Sequence, residues 1–155
     1  ITPEAMDKLD EMIEAAVAAG CRVETGGARA TDKGEGNFYQ PTVLSGATAD
    51  MAIAREEIFG PVLPVVKVKD LDEAIAIANE SDYGLTSSIF TNNINAALKA
   101  VRQLQYGETY INREHFEAMQ GFHAGRRNSG IGGADGKHGL REYVETHVTY
   151  IQTHD

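Results

Sequence analysis

At 155 residues, 42% of them hydrophobic and 24% charged, the chain is too apolar for a disordered tail and long enough for one compact core. Its 14 basic and 23 acidic residues leave a formal net charge of −9, a field that repels phosphate backbones and anionic lipid, so no nucleic acid and no membrane is expected as a partner. The purely apolar runs fall far below the roughly 18 residues needed to cross a bilayer, no leader pattern is present, and the single cysteine, Cys21, excludes an intramolecular disulfide, which makes the cytoplasm the expected compartment.

Thr2 before Pro3 is a favoured N-cap and first-turn pair, and Met6, Leu9, Ile13, Ala16 and Val17 then share one face of a helix that Gly20 closes. Residues 22–25 read as a short strand, and Gly26, Gly27 and the polar stretch 28–37 as a surface loop or hairpin. An extended pattern resumes over 38–44, and the Val-rich stretch 62–68 reads as a buried strand. Asp70 with Glu73 has capping-box spacing and opens a helix whose inward face is Ala74, Ile75 and Ala78. Residues 87–91 form the next predicted strand. Asn92 or Asn93 caps a further helix with Ile94, Ala97, Leu98, Val101 and Leu104 as its apolar positions and Gly107 at its end, and 109–111 is another strand.

Strand, helix, strand, helix, strand over 62–111 predicts an α/β fold, with crossover helices and a largely parallel sheet. A long glycine-containing loop is expected over 113–139, then a short helix around 140–144 and a terminal strand over 147–152, whose open edge invites pairing with another subunit.

Arg55-Glu56-Glu57-Ile58-Phe59-Gly60-Pro61-Val62 is the most informative stretch. A carboxylate at Glu57 can accept hydrogen bonds from a vicinal diol, and the ring of Phe59 can pack on a planar group, as a nucleoside would require. The residue types alone favour a charged helix end followed by a turn. The glycine cluster 130–139 lacks the preceding strand and the Ser or Thr after Lys137 that a phosphate loop uses, so it is expected to be a tight structural loop. His115, His123, His138, His147 and His154 show no metal-ligand spacing.

The 55–62 stretch resembles the Glu-Glu-x-Phe-Gly-Pro segment of aldehyde dehydrogenases. Asn37-Phe38-Tyr39-Gln40-Pro41-Thr42-Val43-Leu44, the run from Asn79 to Asp82-Tyr83-Gly84-Leu85, Gly107 to Asn112, and Ser129-Gly130 through Gly139 resemble further segments of that family in the same order. The resemblance implies the C-terminal portion of the aldehyde dehydrogenase fold, with residues 1–145 a partial catalytic domain and 146–155 a strand used in subunit contact within a homo-oligomer. It implies NAD or NADP as cofactor, with Glu57 holding the nicotinamide ribose, Phe59 beside the nicotinamide, and Glu56 stabilising local structure; Arg126, next to Arg127, reads as one of a solvated pair. It also places the family's cysteine nucleophile, glutamate base and glycine-rich turn upstream of Ile1, so the chain alone is expected to be inactive and Cys21 to be simply packed.

The loop Glu114-His115-Phe116-Glu117-Ala118-Met119-Gln120-Gly121-Phe122-His123 resembles the family's substrate loop. Glu117 and His123 occupy positions that are aromatic in many members, and the run resembles the lactaldehyde and glycolaldehyde dehydrogenase branch. A polar wall of this kind favours a small hydroxylated aldehyde, because an apolar chain would leave polar groups unsatisfied at about 1 to 3 kcal/mol each. The competing expectation is a non-catalytic interaction module that docks through the terminal strand.

Overall fold

The structure, a computed structural model, describes residues 2–153. Length alone suggests one core. The chain instead forms two compact units, one ending at Ile77 and the other beginning at Ala78.

In the first unit, helix α1 (Pro3–Ala18) starts where Thr2 Oγ1 accepts the Ala5 N–H, and it buries Met6, Leu9, Ile13 and Ala16. Val17 is exposed, not inward, because it sits at the edge of that stripe in the last turn. Gly20 at φ +109 turns the chain, with the Cys21 N–H on Ala16 O, into strand β1 (Arg22–Thr25). Strand β2 (Thr42–Ala47) begins later than the pattern suggests, since Pro41 has no N–H to donate and Tyr39 makes an isolated bridge to Arg29. After the single turn α2 (Ala52–Arg55) comes β3 (Val62–Val66), and the sheet order is β1-β2-β3, antiparallel then parallel.

Leu44, fully buried in β2, packs in one cluster with Ile13, Ala16, Cys21, Ala47 and Ile53, the centre of this unit's core. Strand β3 is not buried on both faces as its composition suggests. Val62, Pro64 and Val66 are half-buried while Leu63 and Val65 are exposed, because β3 is the last strand of its sheet and this unit covers only one side of it. Helix α3 (Leu71–Asn79) carries the expected cap one residue out of step: Asp70 Oδ1 accepts the Glu73 N–H at 2.9 Å, and Glu73 Oε2 accepts the N–H of Lys69 at 2.7 Å.

A polar clasp fastens the 28–39 excursion to α1. Tyr39 donates to Asp10 Oδ1 at 2.8 Å, and the Arg29 guanidinium bonds both Asp7 and Asp10. Burial, and then the bond to Asp10, push the Tyr39 hydroxyl up to about 12. A tyrosine whose folded pKa exceeds its unfolded value of about 10 contributes stability that is intact below pH 10 and lost as pH rises toward 12, because the unfolded chain then binds fewer protons. Urea midpoints measured between pH 9 and 12 should therefore fall, and Tyr39→Phe should flatten part of that decline. An unchanged slope in the variant would remove the assignment.

The second unit contains β4 (Tyr83–Gly84), β5 (Thr86–Ile89), α4 (Ile94–Gln103) and β6 (Glu108–Ile111), with β5 and β6 parallel. Asn93 is the cap, its Oδ1 accepting the N–H groups of Asn95 and Ala96. The helix ends at Gln103 with Leu104 as C-cap, well before Gly107. Its buried residues are Ala97 and Ala100, whose small side chains let the helix sit close to its support, whereas Ile94, Leu98 and Val101 are exposed.

The stretch 113–139 is not a structureless loop. Strands β7 (His123–Ala124), β8 (Arg126–Arg127) and β9 (Gly133–Ala134) pair antiparallel, β7 with β9 and β8 with β4, and helix α5 (Gly136–Arg141) begins earlier than expected. Residues 145–153 carry no regular secondary structure, so the strand expected over 147–152 is not formed within this chain, which gives it no ladder to join. The fold is thus α/β with mixed pairing: β2–β3 and β5–β6 are parallel, and β1–β2, β4–β8 and β7–β9 are antiparallel. Among the described residues no helix is long and apolar enough to cross a membrane.

Candidate functional site

In the first unit the segment leaving α2 places Glu56 and Glu57 in solvent, and no hydrogen bond or ion pair holds the Glu57 carboxylate among the described residues. Ile58 packs on the core cluster, but Phe59 beside it is 80% exposed with φ +54. A left-handed non-glycine residue costs about 1 to 2 kcal/mol, and an exposed phenylalanine returns little of it, so the strain points to a constraint other than the stability of this unit. Gly60 follows directly over Leu9: a Cβ at residue 60 would lie 2.5 Å from Leu9 Cδ2, so any larger residue would have to displace that buried core side chain.

In the second unit Glu117 is exposed on the 113–121 loop and His123 is half-buried on β7. His123 Nδ1 lies 3.1 Å from Glu108 Oε2, and the Tyr110 hydroxyl donates to the same oxygen at 2.7 Å. That bond, then burial, then the charges of Glu108 and Glu117 push the Tyr110 hydroxyl up to about 12. The Tyr110 ring stacks on His115 at 5.5 Å and lies under the Arg113 guanidinium, while Thr86 Oγ1 bonds His115 Nδ1 and Ser88 donates to Arg113 O.

The register explains this cluster. Thr86 pairs with Glu108 and Ser88 with Tyr110, so alternation puts these four side chains on one face of the β5–β6 ladder, under the start of the loop. Gly107 then brings the next layer in: a Cβ there would lie 1.7 Å from Ala124 O, and one at Gly133 would lie 2.3 Å from His123 O. His123 is therefore flanked by two glycines that permit backbone contact, one of which precedes Glu108. Reading the sequence missed Glu108 because it starts the strand one residue late. The alternating polar-aromatic pair Glu108 and Tyr110 was the available signal.

Arg126 is exposed on β8, opposite Gly84, and the glycine cluster 130–139 forms β9 and the first turns of α5, with Gly139 buried against Ala134. His115 and His123 are engaged as described, no metal-holding group occurs among the described residues, and His154 lies outside them. Glu57 with Phe59 and Glu117 with His123 belong to different units, and each pair is placed here within its own.

The family model for the aldehyde dehydrogenase family matches residues 1–149. The chain belongs to the aldehyde dehydrogenase family. It is 56% identical over 153 residues to lactaldehyde dehydrogenase of Escherichia coli strain K12, covering 99% of this chain and 32% of that protein. The crystal structure of the Escherichia coli lactaldehyde dehydrogenase superposes with a TM-score of 0.93 over 99% of this chain and 32% of that one. A 3,6-anhydro-L-galactose dehydrogenase in complex with NAP is 41% identical with a TM-score of 0.85, over 93% of this chain and 31% of that one. A Staphylococcus aureus betaine aldehyde dehydrogenase in complex with NAD+ is 36% identical with a TM-score of 0.87, over 92% and 29%. The chain thus spans about a third of the length of the relatives it matches.

In this aldehyde dehydrogenase chain Cys21 is buried in the first unit's core cluster, with its thiol 3.6 Å from Met51 Sδ. Such a sulfur is packed, not presented to a substrate.

Proposed function

We propose that the chain forms part of an NAD(P)-dependent aldehyde dehydrogenase that oxidises a small hydroxylated aldehyde to its acid through a cysteine thioester. The observation that carries this reading is the extended likeness to lactaldehyde dehydrogenase together with a polar pair, Glu117 and His123, on the substrate-loop segment. The nucleophile is assigned to sequence outside these residues, since Cys21 is buried, and the isolated chain is expected to be inactive.

For the cofactor, the residue types fit a nucleoside: the Glu57 carboxylate, without a partner among the described residues, can accept two hydroxyl hydrogen bonds, and the exposed ring of Phe59 offers an apolar face. Bound there, the nicotinamide supplies the hydride acceptor. Glu57 would orient the ribose and Phe59 would limit the tilt of the ring beside it, which is a use for a strained, solvent-facing aromatic. Relatives solved with NAD+ and with NAP leave the choice of dinucleotide open at these positions.

His123 and Glu117 would face the substrate hydroxyl, the group that separates lactaldehyde-like compounds from plain alkyl aldehydes. In the complete enzyme, replacing both by phenylalanine is expected to lower the kcat/KM ratio of 2-hydroxyaldehydes to alkyl aldehydes by about tenfold or more, the loss of one or two buried polar contacts. Equal ratios in parent and variant would end this reading.

Subunit contact is proposed for the terminal segment, where Val148, Tyr150 and Ile151 are all exposed, an apolar row that a neighbouring sheet edge would cover in a homo-oligomer. The free, buried thiol of Cys21 suits a reducing compartment such as the cytoplasm.

A further inference from the structure

We propose that Glu108 is a positioning residue that fixes the tautomer of His123, so that the site selects aldehydes whose neighbouring hydroxyl can donate a hydrogen bond. The proposal rests on the reading of His123 as a substrate contact. Glu108 Oε2 receives the Tyr110 hydroxyl at 2.7 Å and faces His123 Nδ1 at 3.1 Å. A carboxylate offers only lone pairs, so the hydrogen in the second contact sits on Nδ1. With that hydrogen on Nδ1, the neutral form of the ring has a bare lone pair on Nε2, for which no partner occurs among the described residues.

The frame that holds this arrangement is backbone. Glu108 is fixed by the β5–β6 ladder, His123 by pairing with Ala134, and the two strands are brought together by the glycine at 107. The Glu108 side chain is the more covered of the two, 16% exposed against 30% for His123, so the histidine is the member of the pair with more surface left to offer. Tyr110 saturates the same oxygen and carries the stacked His115 and Arg113, which ties the brace to the base of the loop. An Nε2 acceptor rewards a hydroxyl and gives nothing to a fluorine of similar size, which cannot donate.

The test compares 2-hydroxypropanal with 2-fluoropropanal in the complete enzyme, taking the ratio of their kcat/KM values in parent and variant so that intrinsic aldehyde reactivity cancels. Glu108→Gln, which lets the side chain present an N–H to Nδ1 and release the tautomer, is expected to reduce the hydroxyl-to-fluoro preference about tenfold. A merely structural role would lower both substrates alike and leave the ratio unchanged, which would overturn the proposal. His123→Ala separates the two layers of argument. If it leaves the ratio unchanged, histidine is no substrate contact and the functional reading itself fails. If it erases the preference while Glu108→Gln does not, only the tautomer proposal fails. Should Glu108→Gln not fold, neutron diffraction from crystals of the parent enzyme at neutral pH decides: deuterium on Nδ1 alone upholds the proposal, and deuterium on Nε2, alone or with Nδ1, overturns it.

Discussion

Replacing Gly107 by alanine is expected to destabilise the second unit by more than about 3 kcal/mol, beyond the usual cost of overpacking, and valine there should prevent its native packing altogether. The reason lies in what the added atom would meet. Its nearest neighbours are Ala124 O at 1.7 Å, Ala124 C at 2.9 Å and Leu85 O at 3.1 Å, all backbone, so no side-chain rotation relieves the clash. The residue is also fixed by its own hydrogen bond, its N–H donating to Gly84 O at 3.0 Å, while the next N–H reaches Leu85 O at 3.1 Å. Moving away would break the approach of β7 to β6 and separate His123 from Glu108. The measurement is a urea titration of the complete enzyme followed by a probe in this unit, with Gly121→Ala as the control, where the nearest atom is a single carbonyl oxygen at 3.1 Å. A Gly107→Ala midpoint no lower than that of the control would refute the argument.

Arg127→Ala is expected to be the costliest change among the charged residues, at about 3 kcal/mol for several charge-assisted bonds to carbonyls lost together. The Arg127 guanidinium donates to Asn79 O and Gln105 O, each at 2.9 Å, and to Ser81 O, and it lies 5.8 Å from the centre of the Tyr106 ring. These carbonyls belong to Asn79, Ser81 and Gln105, all in the second unit, which begins at Ala78 and so takes in the last two residues of α3; one side chain thus binds the end of α3, the turn after it and the residue after the C-cap of α4. Arg127 does this from φ +55, which adds a way to separate side chain from backbone. Arg127→Gly loses the same bonds but removes the left-handed penalty, and should therefore be more stable than Arg127→Ala by about 1 kcal/mol. Arg127→Lys keeps the charge, cannot reach all these oxygens in one plane, and should recover only a minor share. Thermal midpoints in the order parent, Lys, Gly, Ala are the expected result, and Ala equal to parent would show that solvent replaces the guanidinium without loss.

The sequence alone identifies the local devices. Thr2 and Asp70 are helix caps in the structure as they are in the pattern, and Asn93 is the one chosen of the two asparagines the pattern offers, because each bond joins residues only two or three apart and so depends on nothing beyond the immediate chain. Periodicity also locates α1, α3 and α4 and the strands β1, β2, β3, β5 and β6, but not α2 or the two-residue strands β4, β7, β8 and β9, which are too short to carry a period. Ordered motifs from Asn37 to Gly139 point to the family and, at Glu117 and His123, to a departure from its commoner apolar loop.

Sequence alone leaves open which apolar residues are covered and which polar residues meet. Val17, Ile94, Leu98 and Val101 satisfy a helical stripe but remain exposed, and Leu63 and Val65 satisfy a buried strand but face solvent, because periodicity assigns a side chain to a face without saying what lies opposite. The Glu108–His123 contact spans 15 residues and the Arg127 bonds reach back as far as 48. Such partners depend on strand register and on glycines that allow two backbones to touch, and these are settled only when the chain packs. A cap is decided by its neighbours in sequence, whereas the brace on His123 exists only because the tertiary fold superimposes β7 on the start of β6.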